Sequence, residues 1–581
     1  MAQGSCYQWK YLMPCTVTYD EMGEPESRYY SSSNQYAGVQ LLSGRYVRVT
    51  GNQINLVLEE LIFRESTTYL NSDEVPVPTS GERITGLSIV ERTGENTDSS
   101  LLSDPNSLID EQDVLDGGLE PGWYTGTYFD EIYHARTAYE HLHGTVPYET
   151  THPPLGKVIM SWFVGIFGMT PFGWRFAGCL MGVLMLPVMY LLGKQLTKKT
   201  GIAFAAMAIL ALDCMHYTQT RIATVDSFPV FFILASYLFM VRFMQHDITL
   251  VPAKKLLPDL ALSGFFAGCA IASKWIGLYA GVGLALLFFW TCGRHLWLAR
   301  EAKARLTEVG NAMLRQKKAP DPLSPEERSM LMARSQNTMK RLWTLCGWCV
   351  LFFVAVPVAI YLLSYIPYFA YAKPQSLSDF IDMVIRAQQS MYSYHSTPGL
   401  GMDHPFYSPW YEWPVIGRPM YYAMAYFVKE GSSFAIFCFG NPAVWYVGEV
   451  CMLLAAFFWA KRHVYWLNGS ESPLHPYAID WDVSLAFVLI GLLAQFLPWV
   501  LVPRGTYIYH YFASVPFLVL ASCLMLNKLQ DRFPRVGRAV LAVYLVVCLV
   551  MFIAWYPYAS GATVSTDWLD FMKQFLHVYH S

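Results

Sequence analysis

Two neighbouring carboxylates, Asp130 and Glu131, stand in the densest polar stretch of this 581-residue chain, Phe129-Asp-Glu-Ile-Tyr-His134. Neighbouring side chains on a helix point about 100° apart, so these two would not face each other as a paired acid and base. One carboxylate could act as a general base while the other holds a position nearby. The alternative is a surface acidic pair at the start of a helix, which the helix dipole stabilises. The local sequence alone favours that alternative.

Positively charged side chains occur at several places where they could bind a phosphate. His152-Pro-Pro-Leu-Gly-Lys157 predicts a rigid turn that opens an amphipathic helix along a membrane surface, and its lysine could bind phosphate or extend toward the interface. Arg504 has a planar guanidinium that could clamp a lipid phosphate. Arg175 and Arg221 have simpler alternatives, as an interfacial anchor and as half of a local ion pair with Asp226.

Aromatic side chains and histidines accompany these cations. The segment 367–441 contains Ser408-Pro-Trp-Tyr-Glu-Trp-Pro414, which suits an apolar wall of a sugar or lipid site. A belt of aromatic residues at a membrane interface explains the same pattern equally well. The residues that could line a sugar or acceptor site are His404, Trp410, Trp413, Tyr509 and His510.

The composition indicates what kind of protein must position these residues. The chain is 54% hydrophobic and only 15% charged, whereas soluble proteins carry about a quarter charged residues. Its mean hydropathy is +0.27. These values predict a polytopic α-helical membrane protein. The net charge of −3 excludes a strongly basic nucleic-acid binder.

Charge divides the chain near residue 120. Residues 1–120 carry 19 acidic and 7 basic side chains, and contain no apolar run long enough to span a bilayer. The stretch Tyr46–Phe63 is rich in β-branched residues and punctuated by glycine, which predicts strands and turns. We therefore expect a small extracytoplasmic β-rich domain that ends in an acidic linker at 91–120. Residues 121–172 are expected to form an outer-face loop with amphipathic helices.

Ten apolar segments between residues 173 and 560 predict ten transmembrane helices. They lie near 173–193, 201–217, 226–243, 259–273, 276–298, 342–366, 442–460, 483–502, 508–526 and 537–557. Basic side chains cluster after the first helix, in 300–341, after the seventh helix and between the last two helices. Strict alternation of the helices places all four clusters on one side, which the positive-inside rule identifies as cytosolic.

This orientation places residues 1–172, the loop 367–441 and the tail 561–581 outside the cell. Nothing before residue 173 could carry the N-terminal domain across a membrane, and no signal peptide with a basic start and an apolar core is present. Either a leading helix is missing from the sequence or the orientation is inverted. The agreement of four basic clusters favours a missing helix.

The sequence contains no motif that would bind a soluble nucleotide or a catalytic metal. Walker A, dinucleotide and HExxH patterns are absent, and Cys346 and Cys349 have no second ligand pair nearby. A nucleotide-sugar donor would need a sizeable cytosolic domain, which the spans leave no room for. We expect no cofactor and no metal, and any glycosyl donor should reach the outer face on a lipid.

Taken together, seven motifs resemble the dolichyl-phosphate-mannose–protein mannosyltransferases, which have the membrane-embedded type C glycosyltransferase fold. The resemblance extends from about residue 125 to 560. Each motif alone is weak, but all seven occur in the order seen in the family. They are Phe129-Asp-Glu131, His152-Pro-Pro-Leu-Gly-Lys157, Trp174-Arg-Phe176, Arg221 with Asp226, Ser273-Lys-Trp275, Trp410-Tyr-Glu-Trp-Pro414, and Arg504 with Tyr509-His-Tyr511.

The resemblance implies transfer of mannose from a polyprenyl-phosphate-mannose to Ser or Thr hydroxyls of exported proteins, with inversion. Asp130 matches the position of the family's base, and Glu131 matches its partner, expected to pair with Arg175. The leaving group is a lipid phosphate that needs charge stabilisation rather than an acid. The candidate ligands of the phosphate and its lipid are Arg504, Lys157, His152 and Arg221.

Two departures from the family pattern bear on this interpretation. The family begins with a transmembrane helix before its acidic pair, and that helix is not in this sequence. Eukaryotic members also carry a β-trefoil domain in the long outer loop, for which 367–441 is too short. We therefore expect a bacterial-type member in the plasma membrane, with its active site on the extracytoplasmic face and the secretion machinery as an associated partner. The N-terminal segment faintly resembles galactose-binding-like sandwiches.

The sequence has to be weighed against three alternative functions. The same fold and donor could serve a lipid or cell-wall glycan acceptor, because acceptor grooves are built from loops. A sugar-binding transporter would predict polar residues near mid-membrane and repeated halves with broken helices. The polar residues cluster instead at the outer ends of helices. A carbohydrate-binding module on a membrane anchor would not need ten spans.

Overall fold

A computed structural model of the chain describes residues 2–4, 15–19, 47–51, 58–61, 123, 126–314, 323–424, 432–467 and 481–575. In the N-terminal part, β1 (Ala2–Gly4) pairs antiparallel with β4 (Leu58–Leu61), and β2 (Cys15–Tyr19) pairs antiparallel with β3 (Val47–Gly51). Two of these strands fall within the predicted stretch Tyr46–Phe63. The acidic linker 91–120 lies outside the described residues, and the galactose-binding-like sandwich stays a prediction.

Two helices precede the membrane bundle. α1 (Glu131–His143) ends at Gly144, whose φ of +66° places it in the left-handed region, and a Cβ there would lie 2.7 Å from the Cβ of Ala370. α2 (Leu155–Phe167) begins directly after the two prolines, as the turn predicts. Trp162 and Ile166 of α2 are exposed, while its opposite face is buried. This amphipathic distribution fits a helix lying along the membrane surface.

The bundle itself consists mainly of long apolar helices. Its first part comprises α3 (Pro171–Thr197), α4 (Thr200–Ala211), α5 (Cys214–Arg221), α6 (Ser227–Met244), α7 (Ala253–Ser273), α8 (Ile276–Leu314), α9 (Pro325–Val350), α10 (Val356–Leu363) and α11 (Phe369–Ala372). After the outer helix α12 (Leu377–Ser396) come α13 (Pro442–Leu467), α14 (Trp481–Phe496), α15 (Val515–Arg532) and α16 (Pro534–Ser560), and α17 (Thr566–Phe575) follows.

Each predicted apolar segment contains a helix, but not all ten segments are long and apolar enough to span a membrane. Among the described residues, eight helical segments meet that criterion, and α4 with α5, bent by 61°, makes a ninth. The ninth apolar segment predicts a helix from residue 508. Residues 508–513 form a 3-10 helix instead, and α15 begins only at Val515. The last residues of α15 include Lys528, Asp531 and Arg532. With three charged side chains, this 18-residue helix does not meet the criterion for a membrane span.

Contacts between helix ends place all four basic clusters on one side of the bundle. Lys199 pairs with Asp531 at 2.6 Å, Gln245 donates to the Gln195 carbonyl at 3.0 Å, and Arg334 pairs with Asp247 at 2.8 Å. The end of α13 joins the same group, since Phe458 and Lys528 both lie against Trp481, at 6.5 and 5.2 Å. The structure therefore agrees with the alternation on which the predicted orientation depends.

The opposite side carries the shorter elements. β5 (Met420–Met424) pairs antiparallel with β7 (Ala435–Cys438), and β6 (Ser432–Ser433) pairs antiparallel with β8 (Val564–Ser565). Two 3-10 segments, Trp410–Val415 and Ile508–Ala513, pack against each other above α14 and α15. These elements, with α1, α2 and α12, surround the site described below.

Candidate active site

Asp130 lies at the start of α1 on a strained backbone. The preceding residue, Phe129, has a φ of +51°, a conformation that typically costs a residue with a side chain about 1–3 kcal/mol. Its ring stacks on Tyr422 with 4.3 Å between centroids and meets Tyr509 edge-on at 6.2 Å. Asp130 is partly exposed. Ring packing thus fixes the backbone that presents this carboxylate.

Asp130 faces the 3-10 segment at 508–513 and the residue before it. Burial raises the pKa of the Tyr507 hydroxyl to about 12, and the nearby Asp130 carboxylate contributes to that rise. Burial likewise raises the pKa of Tyr509 well above its usual range, with Asp130 the next cause. Residues more than 370 positions apart in the sequence therefore lie close together, as the contact between Phe129 and Tyr509 also shows.

Glu131 is fully buried and saturated with hydrogen bonds. Arg175 donates Nε to one carboxylate oxygen and Nη2 to the other, both at 2.7 Å. The backbone amides of Ala223 and Tyr128 also donate to it, at 2.9 and 3.2 Å. The expected contact between Glu131 and Arg175 is thus confirmed. Arg175 in turn donates to the Gly126 carbonyl at 2.7 Å, which holds the loop before Asp130.

A second ion pair, which the sequence analysis did not assign to the site, lies beside Tyr509. Lys274 donates to Asp226 at 2.6 Å, and both side chains are largely buried. The Lys274 ammonium lies 5.8 Å from the centre of the Tyr509 ring. Both residues belong to motifs of the resemblance, but nothing in two motifs 48 residues apart shows that they touch.

Arg504 is the second cation at this pocket. Its guanidinium lies 5.4 Å from the Tyr394 ring and donates to the Gly505 carbonyl at 3.3 Å. Its Nε is buried without a hydrogen-bond partner. Lys274 and Arg504 both act on His510, whose pKa burial and these two charges hold well below its usual range. The arrangement leaves a cation with spare donors near Asp130, as a phosphate site requires.

Lys157 and His152 occupy different surroundings from those the sequence suggested. Lys157 is completely buried and donates to the Glu149 carboxylate, to the Glu149 carbonyl at 2.7 Å and to the His152 carbonyl at 3.1 Å. These bonds use all three ammonium protons. Burial, reinforced by Lys274, keeps the pKa of His152 well below 6.5, so its ring is neutral. The geometry supports neither residue as a cationic phosphate ligand.

Arg221 is joined to a different part of the molecule from Lys274 and Arg504. Its guanidinium lies 4.2 Å from the Trp123 ring, and its Nη1 donates to the Ser560 carbonyl at 2.7 Å and to the Tyr217 hydroxyl at 3.1 Å. These contacts place Arg221 at the end of α16. Its Nη2 is buried without a hydrogen-bond partner, and its predicted role as a phosphate ligand stays a prediction.

The predicted aromatic and histidine residues divide between the pocket and the core. Trp413 is completely buried and donates to Ser408, and the half-buried Trp410 packs edge-on against Phe496 at 5.6 Å. His404 is exposed and meets Tyr507 edge-on at 5.3 Å. His510 is buried, and the Tyr507 amide donates to its Nδ1 at 3.0 Å. Tyr509 of this group lies against Phe129, the residue before Asp130, and His404 lies against Tyr507.

No group of three or more His, Cys, Asp or Glu side chains that could hold a metal ion occurs among the residues that the structure describes. The absence of a cofactor and a metal stays a prediction.

Two family models match most of the membrane part. The model described as "Dolichyl-phosphate-mannose-protein mannosyltransferase" matches residues 153–371. The model of the C-terminal four-transmembrane region of protein O-mannosyltransferase matches residues 380–576. Asp130 and Glu131 precede both matched ranges, so their roles are not tested by these matches.

Similar proteins extend over nearly the same length. A polyprenol-phosphate-mannose–protein mannosyltransferase of Mycolicibacterium smegmatis is 26% identical over 491 residues, covering 76% of this chain and 85% of that protein. The enzyme of the same name from Corynebacterium glutamicum is 24% identical over 465 residues, covering 71% and 78%. The Saccharomyces cerevisiae protein O-mannosyltransferase Pmt1–Pmt2, solved with its sugar donor, has a TM-score of 0.61 at 13% identity, covering 78% and 88%. The chain has the type C glycosyltransferase fold and belongs to the protein O-mannosyltransferase family.

Proposed function

We propose that this chain transfers mannose from polyprenyl-phosphate-mannose to Ser or Thr hydroxyls of exported proteins, with inversion and with Asp130 as general base. The observation that carries the proposal is the contrast between two neighbouring carboxylates. Glu131 is enclosed by Arg175 and two backbone amides. Asp130 is partly exposed beside a pocket with Lys274 and Arg504 at its edge.

The reaction follows from these positions in a single displacement. Asp130 accepts the proton of the acceptor hydroxyl as its oxygen bonds to the anomeric carbon of mannose. The bond from that carbon to the phosphate oxygen breaks on the opposite face, so the configuration inverts. The negative charge that remains on the lipid phosphate is stabilised by Arg504 and by Lys274, which act as fixed cations. No step of this mechanism uses a metal or a cofactor.

The site is proposed to face away from the cytosol, in a bacterial plasma membrane. The four basic clusters lie on the opposite side of the bundle from Asp130, where the positive-inside rule places the cytosol. Acceptor proteins would then meet the enzyme as they are exported, which includes the secretion machinery among its proposed partners.

Asp130→Asn tests the proposal because it keeps the size of the side chain and removes the base. Purified full-length protein is incubated with polyprenyl-phosphate-mannose and a Ser/Thr-rich peptide, and the hexose mass shift on the peptide is followed. Turnover should fall about a hundred- to ten-thousand-fold, while binding of the donor changes little. Near-normal mannosylation by the variant would remove Asp130 as base.

The matched control is Asp382→Asn, which changes an exposed aspartate on α12 and should keep full turnover.

Nuclear magnetic resonance of the anomeric centre compares the donor with the product, and retained configuration would contradict a single displacement. A wild-type protein that mannosylates a lipid or a cell-wall glycan, but no peptide, would instead identify the alternative acceptor.

A further inference from the structure

Trp123 lies seven residues before Asp130 in the sequence and is held by contacts with distant elements. Its indole lies face-on beneath the guanidinium of Arg221, with 4.2 Å to the ring centre, and its Nε1 donates to the Gly561 carbonyl at 3.1 Å. Stacking on an arginine and a hydrogen bond together define both the tilt and the rotation of the indole. Trp123 is therefore attached to α5 and to the end of α16, at positions 98 and 438 residues away in sequence.

Arg221 closes the same contact from the side of α16. Its Nη1 donates to the Ser560 carbonyl at 2.7 Å, so Arg221 and Trp123 bind the consecutive carbonyls of Ser560 and Gly561. The last carbonyls of a helix lack intrahelical partners and carry partial negative charge. A guanidinium is thus well suited to this position, where its Nη1 donates to the Ser560 carbonyl and its Nη2 is buried without a hydrogen-bond partner.

Gly561 completes the contact because no other residue fits there. Its φ is +72°, and a Cβ at this position would lie 2.4 Å from Nε1 of Trp123 and 2.9 Å from Cγ1 of Ile436. Any side chain would therefore push the indole away from the helix end, besides straining the backbone. The close approach of Trp123 and Gly561 is built into the end of α16.

A second arginine, Arg175, holds the loop 126–130, which ends at Asp130. The guanidinium of Arg175 lies 5.0 Å from the Tyr128 ring and 5.9 Å from the Trp123 ring, and it donates to the Gly126 carbonyl and to Glu131. Arg221 thus holds Trp123, and Arg175 holds this loop. Because Phe129 sits in a strained conformation, these outside contacts must maintain it.

We infer that Arg221, Trp123 and Gly561 form a positioning clamp that sets the placement of Asp130, and that Arg221 is not a ligand of the donor phosphate. This inference rests on the proposed function of Asp130. Arg221 and Trp123 act through the loop and touch neither substrate. A small misplacement of a catalytic group lowers the rate strongly, by up to about a hundredfold per ångström.

The experiment compares Trp123→Phe, Arg221→Lys and the double variant in peptide mannosylation. Trp123→Phe keeps an aromatic ring but loses the donor to Gly561, and Arg221→Lys keeps the charge but loses the planar stack. Each single variant should lower kcat about ten- to a hundredfold and leave KM for the donor within about twofold. The kcat of the double variant should be no lower than that of the less active single variant, because both substitutions break the same contact.

Hydrogen exchange of the loop gives a readout that does not depend on activity. Amides in 126–131 should exchange faster in Trp123→Phe, in Arg221→Lys and in Gly561→Ala, while the rest of the bundle stays protected. The matched controls are Trp162→Phe, an exposed tryptophan on α2, and Arg242→Lys, a half-exposed arginine on the opposite side. Neither control should change exchange in the loop or peptide mannosylation.

Three outcomes would overturn the inference. Arg221→Lys could raise KM for the donor while Trp123→Phe behaves as wild type, which would make Arg221 a phosphate ligand. Both single variants could keep full kcat. The loss in the double variant could equal the product of the single losses, which would make the two residues independent. A wild-type protein without mannosyl transfer would defeat the proposed function instead, and the exchange rates would still decide the clamp.

Discussion

At the scale of single residues, the site separates two carboxylates by their surroundings rather than by their type. Glu131 accepts four hydrogen bonds and is closed to a substrate, whereas Asp130, one position earlier, stays partly exposed. The divergence of neighbouring side chains on a helix predicts that only one of them can face the substrate. The sequence could not show that the amide of Ala223 shares in holding Glu131, because that contact spans 92 residues.

Arg504 provides the first prediction at this scale. Arg504→Ala should lower turnover about a hundredfold or more, because a fixed cation at the departing phosphate is lost. Arg504→Lys should recover only part of it, since lysine keeps the charge without the planar pair of donors. Steady-state peptide mannosylation measures both. Arg386→Ala, an exposed arginine on α12, serves as control, and full activity of Arg504→Ala would remove Arg504 from the site.

The pair formed by Lys274 and Asp226 gives a prediction that separates stability from catalysis. Lys274→Met should lower turnover and also destabilise the protein by about 3–5 kcal/mol, because it leaves the buried Asp226 carboxylate unpaired. The double variant with Asp226→Asn should regain stability in thermal unfolding without regaining turnover. A double variant with wild-type turnover would show that Lys274 only balances Asp226 and does not act on the donor.

At the scale of elements, the connection between α1 and α2 shows where sequence reasoning stops. The prolines at 153 and 154 predict the start of α2, and the structure begins it at Leu155. Lys157 looks like a free cation in the sequence because its partner, Glu149, lies in an irregular loop whose path has no periodic signal. α7 also begins earlier than the apolar pattern predicts, since its first turns contain Lys254 and Lys255. Local apolarity therefore locates helices better than it locates their ends and partners.

Two histidines around this connection, one buried and one partly buried, predict a loss of stability in acid. Burial lowers the pKa of His134 and of His395 to about 4, against 6.5 for an accessible ring. The unfolded chain therefore binds more protons between pH 6.5 and 4, so stability should fall as the pH falls through this window. Below about pH 4 these two groups should add no further loss.

His395→Gln tests this contribution, because glutamine can still donate to the Thr151 carbonyl that His395 contacts at 2.8 Å. The apparent Tm in detergent, measured from pH 7 to 4, should fall less in this variant than in the wild type. His143→Gln, an exposed position on α1, should leave the pH profile as it is. An unchanged profile for His395→Gln would show that His395 is not protonated preferentially on unfolding.

At the scale of the whole molecule, the membrane divides the chain into a catalytic side and a basic side. Hydropathy and charge are local properties, so the spans and the basic clusters could be predicted from the sequence together with the fold class. The site could be predicted only in part, since Asp130 with Glu131 and Arg175 came from motifs. Contacts such as Lys274 with Asp226, or Trp123 with Gly561, join distant positions and depend on how the helices pack.

The orientation of the bundle is the last prediction and decides which compartment supplies the acceptor. Glu308 is exposed on the basic side, and Ser378 is exposed on α12, on the side of Asp130. In intact cells, an impermeant thiol reagent should label Ser378→Cys and leave Glu308→Cys unmodified, and both should react once the membrane is permeabilised. The wild type serves as control for labelling of the twelve native cysteines. Labelling of Glu308→Cys alone would place Asp130 in the cytosol, where exported proteins could not serve as acceptors after export.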